Sequence, residues 1–539
     1  MLVAVLFVAL LLCLAMLTPD RFGGYYDDSV YVAAAKSLTT DQGYRIISTP
    51  QEVAQTLVPP FYPFLLSLVW RVYPHFPENL TLMMLVSVIS TISFLALSYT
   101  YLVKQGYATD WQALIVIALA GINWRTILLA TSTLSELVFA LLSVAALHLA
   151  EKYEKERNNW VTAMSLGVIM GLVFLTRTSG AVMLVAVAVY FVWRHQWRKA
   201  LLPISVAGVF VIGWVAWCYV NRTTVEGAHA AYYAGYMHGI DSTISNLQAL
   251  NNTSKLMVHL NIIGTNALGL IFVSFSLECL GMRYELPGIV LIPFVFFAFS
   301  LLAAGFLREL RKGIRLLHIY LVFYLVLHII VPANSYDRYL IPIAPFLLFF
   351  LIGELSTLVS LARRGFESSG QVSQRVGAAF VTVILILLTG TAFYSNWTGI
   401  YWSLTSLKRT DRITEDVQSM EWIKSNTEPS DVVVCYRDQM YYLYTGRKTV
   451  RSIPASILDT AIYQARQPSP DEHAKIFLNI IDENNGRYLV LNSTDFRYQA
   501  GPYGESIKLL LEQYPGMFVP VFQSIEGRST IYKIVNNAG

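Results

Sequence analysis

The stretch Tyr25-Tyr26-Asp27-Asp28-Ser29-Val30-Tyr31 decides how this chain is read. It sets two adjacent carboxylates about ten residues beyond an apolar run that begins at the first residue. Acids held against a bilayer are costly, and those that persist there usually mark a functional site.

The surrounding composition makes the bilayer part of the argument. Of 539 residues, 55% are hydrophobic and 14% charged, and the charges cluster between long apolar runs. A spanning helix needs about 20 mainly apolar residues. Runs of that kind lie near 2–18, 80–103, 111–130, 134–150, 161–176, 181–193, 201–220, 286–307, 316–331, 340–360 and 376–394. The chain reads as an α-helical polytopic membrane protein with about eleven transmembrane helices.

Short loops rich in Lys and Arg stay on the cytoplasmic side. Lys152, Lys155 and Arg157 form one such cluster, and Arg194, Arg198 and Lys199 a second. Arg308, Arg311, Lys312 and Arg315 form a third, and Arg363, Arg364 and Arg375 a fourth. All four share a side if the N-terminus is cytoplasmic, which makes the chain an inner (plasma) membrane protein with an extracytoplasmic C-terminal part. The same parity places Asp27-Asp28, the turn at 125–135, Arg177, the segment 221–285 and everything after Tyr394 outside. The net charge of +4 therefore implies no nucleic acid partner. The first run lacks the basic flank and small-residue cleavage site of a signal peptide and reads as a retained helix. Cys13, Cys218 and Cys279 lie in apolar stretches and Cys435 in a polar region, so no disulfide is implied.

A loop of about sixty residues between the first two runs is too long to be a bare connection. Residues 28–38 and 64–72 read as short interfacial helices, the second opened by Pro59-Pro60-Phe61-Tyr62-Pro63. The moderately apolar 262–280 reads as re-entrant, because a full span there would put the Arg308–Arg315 charges outside. Two domains follow: a transmembrane catalytic domain over 1–395 and an extracytoplasmic α/β domain over 396–539. In the second, 431–436 and 487–491 are β-rich runs, 475–483 and 506–513 look helical, and 518–523 with 530–535 form a closing strand pair.

With these segments in place, a family resemblance can be stated. Asp27-Asp28 with Tyr31, the Pro60-Phe61-Tyr62-Pro63 opening, Ser135-Glu136, Thr176-Arg177 and Arg338-Tyr339-Leu340-Ile341-Pro342 follow one another in the order seen in the GT-C superfamily of glycosyltransferases. The chain resembles most the bacterial branch that includes the protein O-mannosyltransferases and the lipid A aminoarabinose transferase. Glu421-Trp422-Ile423-Lys424 through Val434 is similar to the soluble tail of many bacterial members. The resemblance implies a GT-C-like fold and transfer of a sugar from a polyprenyl-phosphate carrier, with the first acid of the pair as base.

The residue types suit that chemistry. A phosphodiester oxygen leaves with little or no protonation, so what the reaction lacks is a strong nucleophile. One carboxylate, Asp27 by its position in the pair, can take the acceptor hydroxyl's proton as it attacks the anomeric carbon, with inversion. Asp28 has three open roles: a substrate contact, a ligand to a divalent metal such as Mg or Mn, or a cap on the helix that follows. Arg177 and Arg338, at outer ends of spans, can bind donor phosphate or simply snorkel or pair with an acid such as Asp337. Glu136 is a third acid for sugar hydroxyls or metal, or a stabiliser of its helix N-terminus. Tyr31 and Tyr62 are further candidate substrate contacts. His229 and Tyr232, with Tyr233, Tyr236 and His238, are candidates to line a sugar or acceptor pocket, although Tyr-rich interfacial loops are common without a ligand. His328, inside an apolar run, reads as a hydrogen-bonding residue of the bundle.

The acceptor is a hydroxyl on a lipid, glycan or protein. Two rivals stand beside this reading. An oligosaccharide ligase with a diphosphate-linked donor would call for a late outer loop rich in Arg and His, and 221–285 has few Arg. A transporter or flippase of lipid-linked sugars would show paired halves and mid-membrane charges, and neither is present. Phosphate-cradling Gly-Lys loops, zinc spacings and hydrolase elbows are absent from the sequence.

Overall fold

The computed structural model describes residues 1–41, 43–157, 159–222, 288–330, 336–367, 372–406, 411–452, 469–492 and 502–535. His229, Tyr232 and the run 262–280 lie outside these. The chain is mostly helical with a small C-terminal sheet, and it groups into two units. One unit comprises Met1–Leu17, Met84–Ile212 and the described helices up to Thr405. The other joins Thr18–Met83 to the described residues from Gly213 to Arg222 and from Ser406 onward.

The helices of the first half are α1 (Leu2–Ala15), α2 (Tyr26–Ser37), α3 (Phe61–Val72), α4 (Leu80–Lys104), α5 (Asp110–Ile122), α6 (Trp124–Ala130), α7 (Glu136–Lys155), α8 (Trp160–Thr176), α9 (Ala181–Trp193) and α10 (Trp197–Val220). Among the described residues, α4, α10 and Arg338–Arg364 are each long and apolar enough to cross a bilayer. The apolar run expected to be one span over 111–130 forms α5 and α6, which together are long and apolar enough for a span but are bent by 63° at Asn123. The cause is local: the Asn123 side chain accepts from the amides of Arg125 and Thr126, at 2.9 and 3.4 Å, and so starts a new helix.

Small residues set the packing in the first unit. Gly167 and Gly171, one turn apart on α8, let α10 approach closely. A Cβ on Gly167 would fall 2.6 Å from Val206, and one on Gly171 2.3 Å from Phe210. Such small-residue stripes replace the hydrophobic effect as the packing device between apolar helices.

Three of the basic clusters meet at one end of this unit. Lys199 donates to the carbonyls of Glu154 and Glu156 at 2.7 and 2.9 Å, and Arg194 pairs with Glu154 at 2.6 Å. Arg315 reaches the Gln105 carbonyl at 2.6 Å and buried Glu151 at 3.1 Å, with its guanidinium 3.5 Å over the Tyr107 ring. Glu151 also accepts from Tyr101 and Tyr107, at 3.0 and 2.7 Å. Glu136 and Lys155 close α7 at opposite ends, about 30 Å apart at the helical rise.

In the second unit, α3 buries Tyr62, Leu66 and Trp70 and leaves Phe64, Leu68 and Val72 exposed. That exposed apolar stripe, one residue per turn, suits a lipid interface. The tail builds a five-stranded sheet from β1 (Val432–Cys435), β2 (Lys448–Arg451), β3 (Gly486–Asn492), β4 (Phe518–Gln523) and β5 (Ser529–Ile534), in the order β2-β1-β3-β5-β4. β1 is parallel to β2 and β3, while β5 is antiparallel to β3 and β4. Val434, Leu489 and Ile534 of the sheet close on Phe477, Ile480 and Leu510 of the helices Pro470–Glu483 and Pro502–Gln513, forming one apolar core.

Candidate functional site

α2 begins at the acidic pair because its first turn is satisfied from within. Asp28, the third helical residue, accepts from the amides of Gly23 and Tyr25 on Oδ2 at 2.9 and 3.2 Å, and from Ser29 on Oδ1 at 2.6 Å. The side chain is 2% exposed. Burial pushes its carboxyl up to about 7, against the opposing pull of the three amides and with some help from the charge of Asp27. Asp27 sits beside it in the first turn, half-buried, where the helix dipole favours a negative charge.

The turn that delivers these amides requires glycine at 23. Its φ is +83°, and a Cβ there would lie 2.1 Å from the sulfur of Met440. A residue of the tail thus packs directly on the turn that holds Asp28.

More of the tail engages α2. Tyr26 donates to Oδ1 of fully buried Asp438 at 2.7 Å, and the guanidinium of Arg451 lies 3.9 Å from the Tyr26 ring and 4.8 Å from that of Tyr436. The Thr449 amide on β2 donates to the Ser48 carbonyl at 2.8 Å, Lys448 donates to the Ile47 carbonyl at 2.7 Å and pairs with Glu52, and Gln51 donates to Asn484 at 2.8 Å. Lys36, near the end of α2, lies 4.9 Å from the Tyr442 ring. Burial, and secondarily the charge of Lys448, hold its ammonium below the usual range. Sequence reading missed Tyr26, Asp438 and Arg451. The tail itself is braced at Asp416, which accepts from Arg437 at 2.8 Å, Asn492 at 2.8 Å and Tyr441 at 3.2 Å.

Tyr31 and Tyr62 come together, their rings edge-to-face at 5.0 Å and 90°. Both are buried, so the structure uses them to seat α2 on α3.

A second cluster stands in the other unit, at the head of α7. Glu136, 1% exposed, receives Arg338 on Oε1 through Nε at 2.8 Å and a terminal nitrogen at 2.6 Å, and Arg177 at 2.9 Å. Arg177 also donates to Ser135 at 3.1 Å. Oε2 of Glu136 is buried with no hydrogen-bond partner among the described residues. Two guanidinium groups thus meet on one carboxylate oxygen. His328 makes the bundle hydrogen bond expected of it, Nδ1 to the Tyr324 carbonyl at 2.8 Å.

Among the described residues, the two nominated metal ligands, Asp28 and Glu136, fit a divalent metal poorly. Glu136 is the candidate ligand most surrounded by cations, and Asp28 already spends both oxygens on backbone amides. No group of three or more acids, His or Cys able to hold a metal occurs among the described residues.

No protein-family model matches this sequence, and no curated protein matches it either. Solved structures do. The archaeal oligosaccharyltransferase AglB from Archaeoglobus fulgidus, in complex with an inhibitory peptide and a dolichol-phosphate, matches 100% of this chain and 74% of its own at 12% identity, with a TM-score of 0.55. ArnT from Cupriavidus metallidurans, bound to undecaprenyl phosphate, matches 99% of this chain and 98% of its own at 14% identity, with a TM-score of 0.53. An Archaeoglobus fulgidus oligosaccharyltransferase in complex with Zn and sulfate matches 99% of this chain and 74% of its own at 11% identity, with a TM-score of 0.54. AglB and ArnT are GT-C glycosyltransferases, and the fold of this chain is the fold they share.

Proposed function

We propose that this protein is a membrane glycosyltransferase that moves one sugar from a polyprenyl-phosphate carrier to a hydroxyl acceptor, with Asp27 as general base. One observation carries the reading. A chain with the fold of AglB and ArnT fixes a half-buried carboxylate in the first turn of α2, locked from behind by the three amides on Asp28.

In the proposed step Asp27 takes the proton of the acceptor hydroxyl as that oxygen bonds to the anomeric carbon. The bond from carbon to the phosphate oxygen breaks on the opposite face, and its electron pair leaves with the polyprenyl phosphate. Arg177 and Arg338, oriented by Glu136, are the proposed partners of the donor phosphate, where guanidinium donors offset the charge of the leaving group. Glu136 acts by positioning them, and Tyr31 and Tyr62 act by holding α2. The proposed topology has a cytoplasmic N-terminus, a membrane domain over 1–395 and an outer domain over 396–539. The meeting of three basic clusters at one end of the first unit supports it.

The reading is tested with purified protein, a hydroxyl acceptor panel, and polyprenyl-phosphate monosaccharides beside diphosphate-linked oligosaccharides. Release of free polyprenyl phosphate from monosaccharide donors is expected. Release of diphosphate carrier alone would replace the reading with oligosaccharide ligation, and movement of intact donor across vesicles without release would replace it with transport.

A further inference from the structure

Behind the turn that carries Asp28, the second unit lines a half-open cavity of about 540 Å³ that none of the roles above uses. One wall is aromatic and continuous: Phe22, Phe76 and Tyr444 touch one another with ring centroids 4.9 to 6.3 Å apart. Met440, whose sulfur faces Gly23, joins this wall to the Asp28 turn. Met420 closes another side. Aromatic faces and methionine make an adaptable apolar surface, and the volume is that of a small-molecule site.

The lining charges are one-sided. Asp20, Glu78 and Glu421 contribute carboxylates against the single ammonium of Lys424, and all four residues are exposed. A phosphate head would be repelled here, whereas a cation gains from the carboxylates and from the faces of the aromatic wall.

We propose that this cavity binds a molecule joining an alkylammonium group to an aromatic or branched apolar body. Resting on the glycosyltransferase reading above, it does so as a recognition pocket for part of the acceptor. The ammonium sits among Asp20, Glu78 and Glu421, and the apolar body lies against Phe76, Tyr444 and Met420. The surface that senses the ligand is then the back of the turn whose front holds Asp28.

The test uses the full chain in lipid nanodiscs and three soluble probes of like shape: benzyltrimethylammonium, benzyl alcohol and benzenesulfonate, with binding followed by ligand-observed NMR. The expected order is cation above neutral above anion. Glu78→Gln combined with Glu421→Gln, both at exposed positions, should weaken the cation about fivefold or more and leave the neutral probe unchanged. Met420→Trp, which fills the cavity, should weaken both. Equal binding of cation and anion, or unchanged cation affinity in the double variant, overturns the site, and the double variant decides the matter if the tryptophan variant fails to fold. The acceptor role is read separately, from turnover. Inhibition by the cation that is competitive with acceptor supports it, and binding without inhibition overturns it while the site stands. A protein that releases no polyprenyl phosphate from any donor refutes glycosyl transfer, and the probe ranking still judges the cavity.

Discussion

The hydroxyl of Tyr26 donates to Oδ1 of Asp438 over 2.7 Å, joining the residue before the acidic pair to a tail residue 412 positions later. Tyr26→Phe keeps the ring beside Arg451 and removes the hydroxyl that makes this bond. A hydrogen bond to a buried charged group is worth about 1.5–3 kcal/mol, so turnover should fall about tenfold to a hundredfold while the donor KM holds. Asp438→Asn retains an acceptor oxygen and should lose less. Steady-state release of polyprenyl phosphate checks both, and wild-type turnover in Tyr26→Phe would show that the tail does not position α2.

Asp28 sets a pH dependence with an unusual sign. Its carboxyl is raised from an ordinary 3.8 to about 7, so between these values the folded protein holds a proton that the unfolded chain releases. Stability should therefore fall as pH rises from about 4 to about 7 and level off above. Asp28→Asn keeps an oxygen for the Gly23 and Tyr25 amides and has no proton to lose. Thermal unfolding across pH 4–8 should show the slope in wild type and a shallower one in this variant.

Gly23→Ala combines a strained φ of +83° with a collision at Met440. We expect a loss of about 1–3 kcal/mol. Met440→Ala in the same chain should recover the steric part and leave the backbone part, a partition that a double-mutant cycle of unfolding measures directly.

Glu136→Gln leaves the buried guanidinium of Arg338 and the half-buried one of Arg177 on a neutral amide. Breaking a buried ion pair costs about 3–5 kcal/mol, so the melting temperature should drop. The donor KM should also rise, because Arg177 and Arg338 lose their common anchor. Arg338→Ala should raise donor KM about tenfold or more with acceptor KM unchanged. Equal effects on both substrates would remove the arginines from the donor phosphate.

Much of the fold was legible because it is written in local patterns. The apolar runs located the helices, and the strand runs 431–436, 487–491, 518–523 and 530–535 each became a strand of the sheet. β2 escaped because Lys448-Thr449-Val450-Arg451 is short and carries charges at both ends, and both its pairing with β1 and the contacts of Lys448 with the first loop are distant in sequence. The break in 111–130 escaped because one capping asparagine outweighs the apolarity around it. Arg338 and Glu136 were each nominated alone, and the acid beside Arg338 in sequence, Asp337, suggested a local partner. The structure shows its guanidinium on the carboxylate of Glu136, 202 residues away in sequence. Tyr26, Asp438 and Arg451 carry no local signal, since their meaning arises only when the first loop and the tail fold together.

The most direct test of the account is the rate of polyprenyl phosphate release by wild type and by Asp27→Asn, assayed with the same donor and acceptor after matching their thermal unfolding. An isosteric amide cannot accept the acceptor's proton, so the account predicts a fall of about 100-fold or more with both substrates still bound. Undiminished release by a folded Asp27→Asn protein would contradict it.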